Sequence, residues 1–75
     1  MAKLNETAAG DAVVISGVRG DARFVSRVTS IGLTEGCEVR VLQNVRKRPL
    51  LVYGRDSIIA LDAGDCERID VEARS

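Results

Sequence analysis

Apolar residues in this chain come in short bursts: Ala12-Val13-Val14-Ile15, Leu50-Leu51-Val52-Tyr53 and Ile58-Ile59-Ala60-Leu61. Each burst is cut off by glycine, proline or a knot of charges. Runs of that length, rich in β-branched residues, suit strands and are too short for helices. Ala12–Val18 is the first predicted strand, with Gly10-Asp11 before it and Gly20-Asp21 after it supplying turn chemistry. The next segment has another rhythm. Phe24, Val25, Val28 and Ile31 fall at i, i+1, i+4 and i+7, one face of a helix, whereas a strand would divide them between two faces. Asp21 offers an N-cap side chain, and Gly32 stands where a C′ residue takes the left-handed backbone. A helix over 21–31 is therefore predicted, held by tertiary packing because Val25, Val28, Thr29 and Ile31 are β-branched.

Beyond a turn at Thr34-Glu35-Gly36, Val39, Val41 and Val45 point one way and Glu38, Arg40 and Asn44 the other, the pattern of a half-buried strand. Arg46-Lys47-Arg48-Pro49 ends it. Leu50 to Tyr53 reads as a third strand, continuous in its hydrophobicity. Gly54-Arg55-Asp56-Ser57 reads as a hairpin connection, and Ile58 to Leu61 as the fourth strand. Asp62 to Cys66 has room only for a short turn of helix. Ile69 and Val71 mark a fifth strand. Five short strands laid flat would expose their edges. Curling into a half-open barrel, with the helix over one end, removes that liability. The predicted fold is mainly β: one domain over residues 1–75, a small five-stranded SH3-like half-open barrel with one short α-helix after the first strand. An OB-like barrel needs longer strands and more residues.

Composition excludes several functions. Eleven basic and eleven acidic side chains give a formal net charge of zero, where a dedicated nucleic-acid binder needs excess Lys and Arg. No apolar run approaches the roughly 20 residues of a transmembrane helix. The N-terminus lacks the apolar core of a secretory signal, so a cytoplasmic location is expected. Two cysteines, Cys37 and Cys66, are too few for a secreted disulfide scaffold and read as reduced thiols. There is no histidine, which removes the commonest general base and the commonest transition-metal ligand. One Phe, one Tyr and no Trp leave no aromatic platform for single-stranded bases or for polyproline. No catalytic residue, metal or cofactor is predicted.

The order of the pieces resembles the FeoA family, small SH3-like proteins associated with bacterial ferrous-iron uptake. Leu4 and Gly10 resemble its opening. The stretch from Arg27 through Gly32, Leu33 and Gly36 resembles its helix-end pattern Arg-Leu-x-x-Leu-Gly-Leu-x-Pro-Gly. Pro49 sits where the family carries a proline between strands. Leu61, Cys66, Ile69 and Val71 resemble its closing Leu-Arg-x-x-x-Ala-x-x-Ile-x-Val. Val28, Glu35 and Asp62 depart from the pattern's leucine, proline and arginine. The resemblance implies a cytoplasmic accessory protein that docks on FeoB, the ferrous-iron transporter with a cytoplasmic G-protein region. The C-terminal module of DtxR-type repressors resembles the same domain, so a regulatory domain of that kind is an alternative. An SH3-like nucleic-acid-associated module is another.

Candidate site residues follow. Arg46, Lys47 and Arg48 form the densest basic run, and three like charges on a loop make a local field even at zero net charge. They are the first choice for docking to an acidic protein surface. Arg23 and Arg27, on the outer helix face, are the second. Asp62, Asp65, Cys66 and Glu67 are the densest group of possible metal ligands, but Cys66 stands where the family has a small residue, which implies a buried apolar contact. Gly32 and Gly36 read as backbone turns rather than a phosphate cradle, because a helix C-terminus repels anions.

Overall fold

The computed structural model describes residues 2–73. Its elements are β1 (Ala2–Lys3), a 3-10 turn (Leu4–Glu6), β2 (Ala12–Val18), α1 (Ala22–Ser30), β3 (Glu38–Gln43), β4 (Leu50–Gly54), β5 (Ser57–Leu61), α2 (Ala63–Cys66) and β6 (Ile69–Ala73). All strands join one antiparallel sheet in the order β1-β6-β2-β3-β4-β5. The sheet has six strands where five were expected. The extra one is β1, which pairs Ala2 with Val71 and Lys3 with Asp70. Two residues are too few to show alternation, so β1 exists because β6 offers it a ladder. The Glu6 carboxylate fixes it by accepting the Lys3 N–H at 2.7 Å.

The helix lies where periodicity put it, with Asp21 and Ile31 as caps rather than members. Asp21 Oδ1 accepts the Phe24 N–H at 2.8 Å, satisfying one of the orphan donors of the first turn. At the other end Gly32 has φ +93°. The Gly32 N–H donates to the Thr29 carbonyl and the Leu33 N–H to the Val28 carbonyl, both at 3.0 Å. This is the Schellman pairing, completed by apolar contact between the residues at C″ and C3, here the buried Leu33 and Val28. The chain reversal carries Leu33 into the core and turns Ile31 out. Ile31 is 43% exposed, so the expected four-residue apolar face is corrected to Phe24 and Val28, with Val25 half-buried. Burying such side chains contributes about 1.5–3 kcal/mol each.

On β3, Val39 and Val41 enter the core as expected, but Val45 does not. The register against β4 shifts between Val41 and Gln43, which breaks the alternation. The strand stops at Gln43, and Val45 is 51% exposed. The apolar run of β4 also alternates. Leu50 and Val52 are buried, while Tyr53 is 44% exposed on the outer face. Gly54 then lies against β3, where a Cβ would stand 2.8 Å from Val39 Cγ1.

Two glycines therefore carry measurable weight. Gly54→Ala should cost about 1–3 kcal/mol through overpacking against Val39. Gly32→Val should cost at least ~1 kcal/mol, because its backbone is left-handed and a Cβ would press to 3.1 Å from Arg55 Cδ. Gly64→Ala lies in α2 with nothing within 4 Å of the new carbon and should leave stability unchanged or raise it. Urea midpoints for the three variants check this. An unmoved midpoint for Gly32→Val would place the helix stop elsewhere.

Candidate functional site

The β3–β4 connection holds the densest positive charge. Its base is tied down. The Asn44 side-chain amide donates to the carbonyls of Asn5, at 3.2 Å, and Thr7, and the Gln43 amide donates to the Pro49 carbonyl at 3.1 Å. Arg48 N–H closes a turn on the Val45 carbonyl at 3.1 Å, with Lys47 at φ 67°. Arg46, Lys47 and Arg48 are all exposed, and none is in an ion pair among the described residues. A shallow cavity beneath them is lined by Asn5, Asn44, Leu50, Ala63 and Cys66. Asn5 Oδ1 is buried without a hydrogen-bond partner among the described residues. The loop thus presents three uncommitted cations on a fixed base.

The second-choice pair divides. Arg23 is exposed on the first turn of α1. Arg27 instead reaches across to α2, where its guanidinium meets Asp65 at 2.7 Å and lies 5.4 Å from the Phe24 ring centroid. Arg68, not singled out by its sequence context, lies 5.2 Å from the same centroid. Arg27 and Arg68 therefore sit against one ring as cation–π partners, and Arg27 braces α1 against α2. The partners are 38 residues apart in sequence for the Arg27–Asp65 bond, a distance no local pattern reveals. Arg19 is committed in the same way, to Asp70 at 2.8 and 3.1 Å and to the Glu67 carbonyl at 2.9 Å.

The acidic turn has the geometry of a packing element. Cys66 is fully buried in the core. Burial, then the charges of Asp65 and Asp62, pushes its thiol up to about 11, so it stays protonated at neutral pH and is a poor thiolate donor. Asp65 is engaged by Arg27. Among the described residues no three Cys, Asp or Glu side chains stand close enough to hold a metal ion. Cys37 is buried where β3 begins, its thiol 3.7 Å from the Glu38 carbonyl. Gly36, like Gly32, has positive φ and serves a turn.

A six-stranded antiparallel sheet, a short capped helix and no buried polar or charged residue among those described define a small SH3-like domain. The FeoA domain model matches residues 2–73, and the chain belongs to that family, which is an accessory family of ferrous-iron transport and not a known enzyme family. FeoA from Stenotrophomonas maltophilia, a prokaryotic SH3 domain protein complexed with zinc, is similar at 25% identity and TM-score 0.82, over 96% of this chain and 91% of that one. FeoA from Chlorobium tepidum is similar in fold at 24% identity and TM-score 0.87, over 97% and 70%. A manganese-dependent transcriptional repressor shares the fold at 18% identity and TM-score 0.90, over 97% of this chain but 36% of its own. No curated protein matches the chain in sequence. No helix among the described residues is long and apolar enough to cross a membrane.

The buried thiol yields a pH prediction. Unfolded, Cys66 ionises at its ordinary 9.0; folded, at about 11. Its contribution to stability is full below pH 9 and is lost as pH rises through 11, because only the unfolded chain ionises freely in that window. Melting curves from pH 8 to 11 should show a steeper alkaline decline for the parent than for Cys66→Ala, each compared with its own value at pH 8. Parallel declines would place the thiol in contact with water.

Proposed function

We propose that this domain is a cytoplasmic accessory of a FeoB-type ferrous-iron transporter and acts by docking on the transporter's cytoplasmic G-protein region. Family membership supports the iron-uptake setting. The observation that carries the docking mode is the exposed Arg46-Lys47-Arg48 loop, whose cations are free of ion pairs among the described residues while its base is hydrogen-bonded to the 3-10 turn. Arg19 and Arg27, by contrast, are spent on internal contacts with Asp70 and Asp65. The loop is the first docking element and Arg23 the second; Arg27 contributes through its place beside Phe24. A rigid base lowers the ordering cost of binding, and clustered charge steers encounter with an acidic surface. Iron is the transporter's cargo in this reading and needs no site on the domain.

Reversing Arg46, Lys47 and Arg48 to Glu should leave the fold intact, because all three side chains are exposed. Association with the transporter's cytoplasmic region should slow by roughly tenfold or more at low salt, lose most of its salt dependence, and show little change in dissociation. Stopped-flow or surface-resonance kinetics at several salt concentrations measure this. Unchanged association by the triple variant would remove the loop from the interface. Tight, steeply salt-dependent nucleic-acid binding by the parent, with no transporter contact, would assign the domain to nucleic acid instead.

A further inference from the structure

Among the described residues, the outer edge of the sheet at β5 carries no partner strand. β5 pairs with β4 alone, from Gly54↔Ser57 to Leu50↔Leu61. The hairpin has a two-residue tip, Arg55 and Asp56, both at positive φ, so Gly54 and Ser57 form the closing hydrogen-bonded pair. Hydrogen-bonded pairs alternate along an antiparallel ladder. The backbone N–H and C=O groups of Ile58 and Ala60 therefore point away from β4, and among the described residues neither is in any other backbone hydrogen bond. The devices that normally blunt an edge are missing from the strand itself: Ser57–Leu61 contains no charge, no proline and no bulge.

The side chains around this edge are poised for a further strand. Ile58 is 64% exposed on the outer face, beside its cross-strand partner Tyr53. The edge also borders a shallow groove lined by Arg27, Ile31, Ala60, Leu61, Asp62 and Asp65. Ile31, turned out by the helix stop at Gly32, supplies its apolar wall. An acidic side chain flanks the strand's outer face at each end. Asp56 lies on the outer face, where Tyr53 Oη donates to its carboxylate at 3.3 Å. Asp62 follows Leu61 with extended backbone, so it keeps the strand's alternation. The outer row reads acid, apolar, apolar, acid: Asp56, Ile58, Ala60, Asp62. Lys47 and Arg48 border Asp62 from the β4 side, away from the open edge. An antiparallel second copy of β5 centred on Ile59 would set Asp56 opposite Asp62 twice, and like charges directly opposite are destabilising.

We propose that the β5 edge binds an extended segment of a partner protein by strand addition, and that the segment carries two alternating apolar residues between two cationic ones. The outward-facing N–H groups of Ile58 and Ala60 can donate to, and their C=O groups accept from, the backbone of an added extended strand. Ile58 and Ala60 take the apolar pair, while Asp56 and Asp62 take the cations. The edge binds such a segment whichever protein carries it, so its failure would leave the transporter reading untouched.

The test uses the intact domain and three capped peptides: Lys-Thr-Val-Thr-Val-Thr-Lys, the same with Glu at both ends, and the Lys peptide N-methylated on the backbone nitrogens that face the edge. An interface this short binds with a dissociation constant on the order of 1 mM, so amide shifts by NMR are the readout. The Lys peptide should shift amides in 57–61, and it should bind roughly three- to tenfold more tightly than the Glu peptide, as two cross-strand charge pairs imply. N-methylation should abolish binding. The Asp56→Lys, Asp62→Lys double variant should reverse the preference, and the parent's preference stands as a test if that variant folds poorly. No shift in 57–61 at roughly 5 mM peptide, equal binding of the two charge forms, or binding that survives N-methylation would overturn the proposal. So would concentration-dependent shifts of 57–61 in the domain alone, which would give the edge to a second copy.

Discussion

β6 lies between β1 and β2, so the last strand made is the one that joins the two ends of the sequence into a single sheet. Ile15 pairs with Val71 and Val18 with Ile69, and all but Val18 among these residues are fully buried or nearly so. Without β6, β1 has no ladder and β2 has lost one of its two neighbours. The register shift between Ile15 and Gly17 falls at Asp70, whose carboxylate Arg19 grips in a fork. Pairing at this sequence separation carries a high loop-closure cost before it gains contacts. Cooperative folding, rather than a partly folded hairpin, is the physical consequence.

That closure also decides which charges remain for recognition. Arg19–Asp70 and Arg27–Asp65 are partly exposed pairs, each worth about 0.2–1 kcal/mol or less. Their larger effect is geometric. One locks the β2 exit to β6, and the other holds α1 to α2 beside the Phe24 ring. A chain with zero formal net charge thereby sorts its arginines into those that brace the fold and those that do not. The β3–β4 loop falls in the second group because its turn is built from backbone and amide hydrogen bonds, which ask nothing of the Arg46, Lys47 or Arg48 side chains.

Legibility in the sequence followed the range of the interactions. Asp21 and Gly32 announced both helix ends because capping is local chemistry, and the hairpin at Arg55-Asp56 announced itself for the same reason. Ile31 misled because helical periodicity continues past a stop that only the Schellman reversal defines; Leu33, two residues on, takes the core position. Val45 misled because a register shift against β4 changes parity without leaving a mark in the sequence. β1 was illegible, being two residues whose conformation is imposed by β6. Among candidate site residues, the exposed loop cations were readable as a charge run. The division between Arg23 and Arg27, and the role of Arg68 beside Phe24, depended on contacts between distant segments.

β4 connects the two surfaces that remain available. It begins at Leu50, directly after the basic loop, and ends at the Arg55-Asp56 tip from which β5 turns back. The two surfaces differ in kind. Exposed cations act over a Debye length and govern encounter rate, whereas strand addition is short-ranged and governs how long a complex lasts. Either alone is weak on a domain this small. Held a few residues apart on one rigid sheet, they could engage a single partner together, the second contact forming at the high effective concentration set by the first. A fold with little interior to build a pocket from can still recognise a partner by such a combination of an open edge and an uncommitted charged loop.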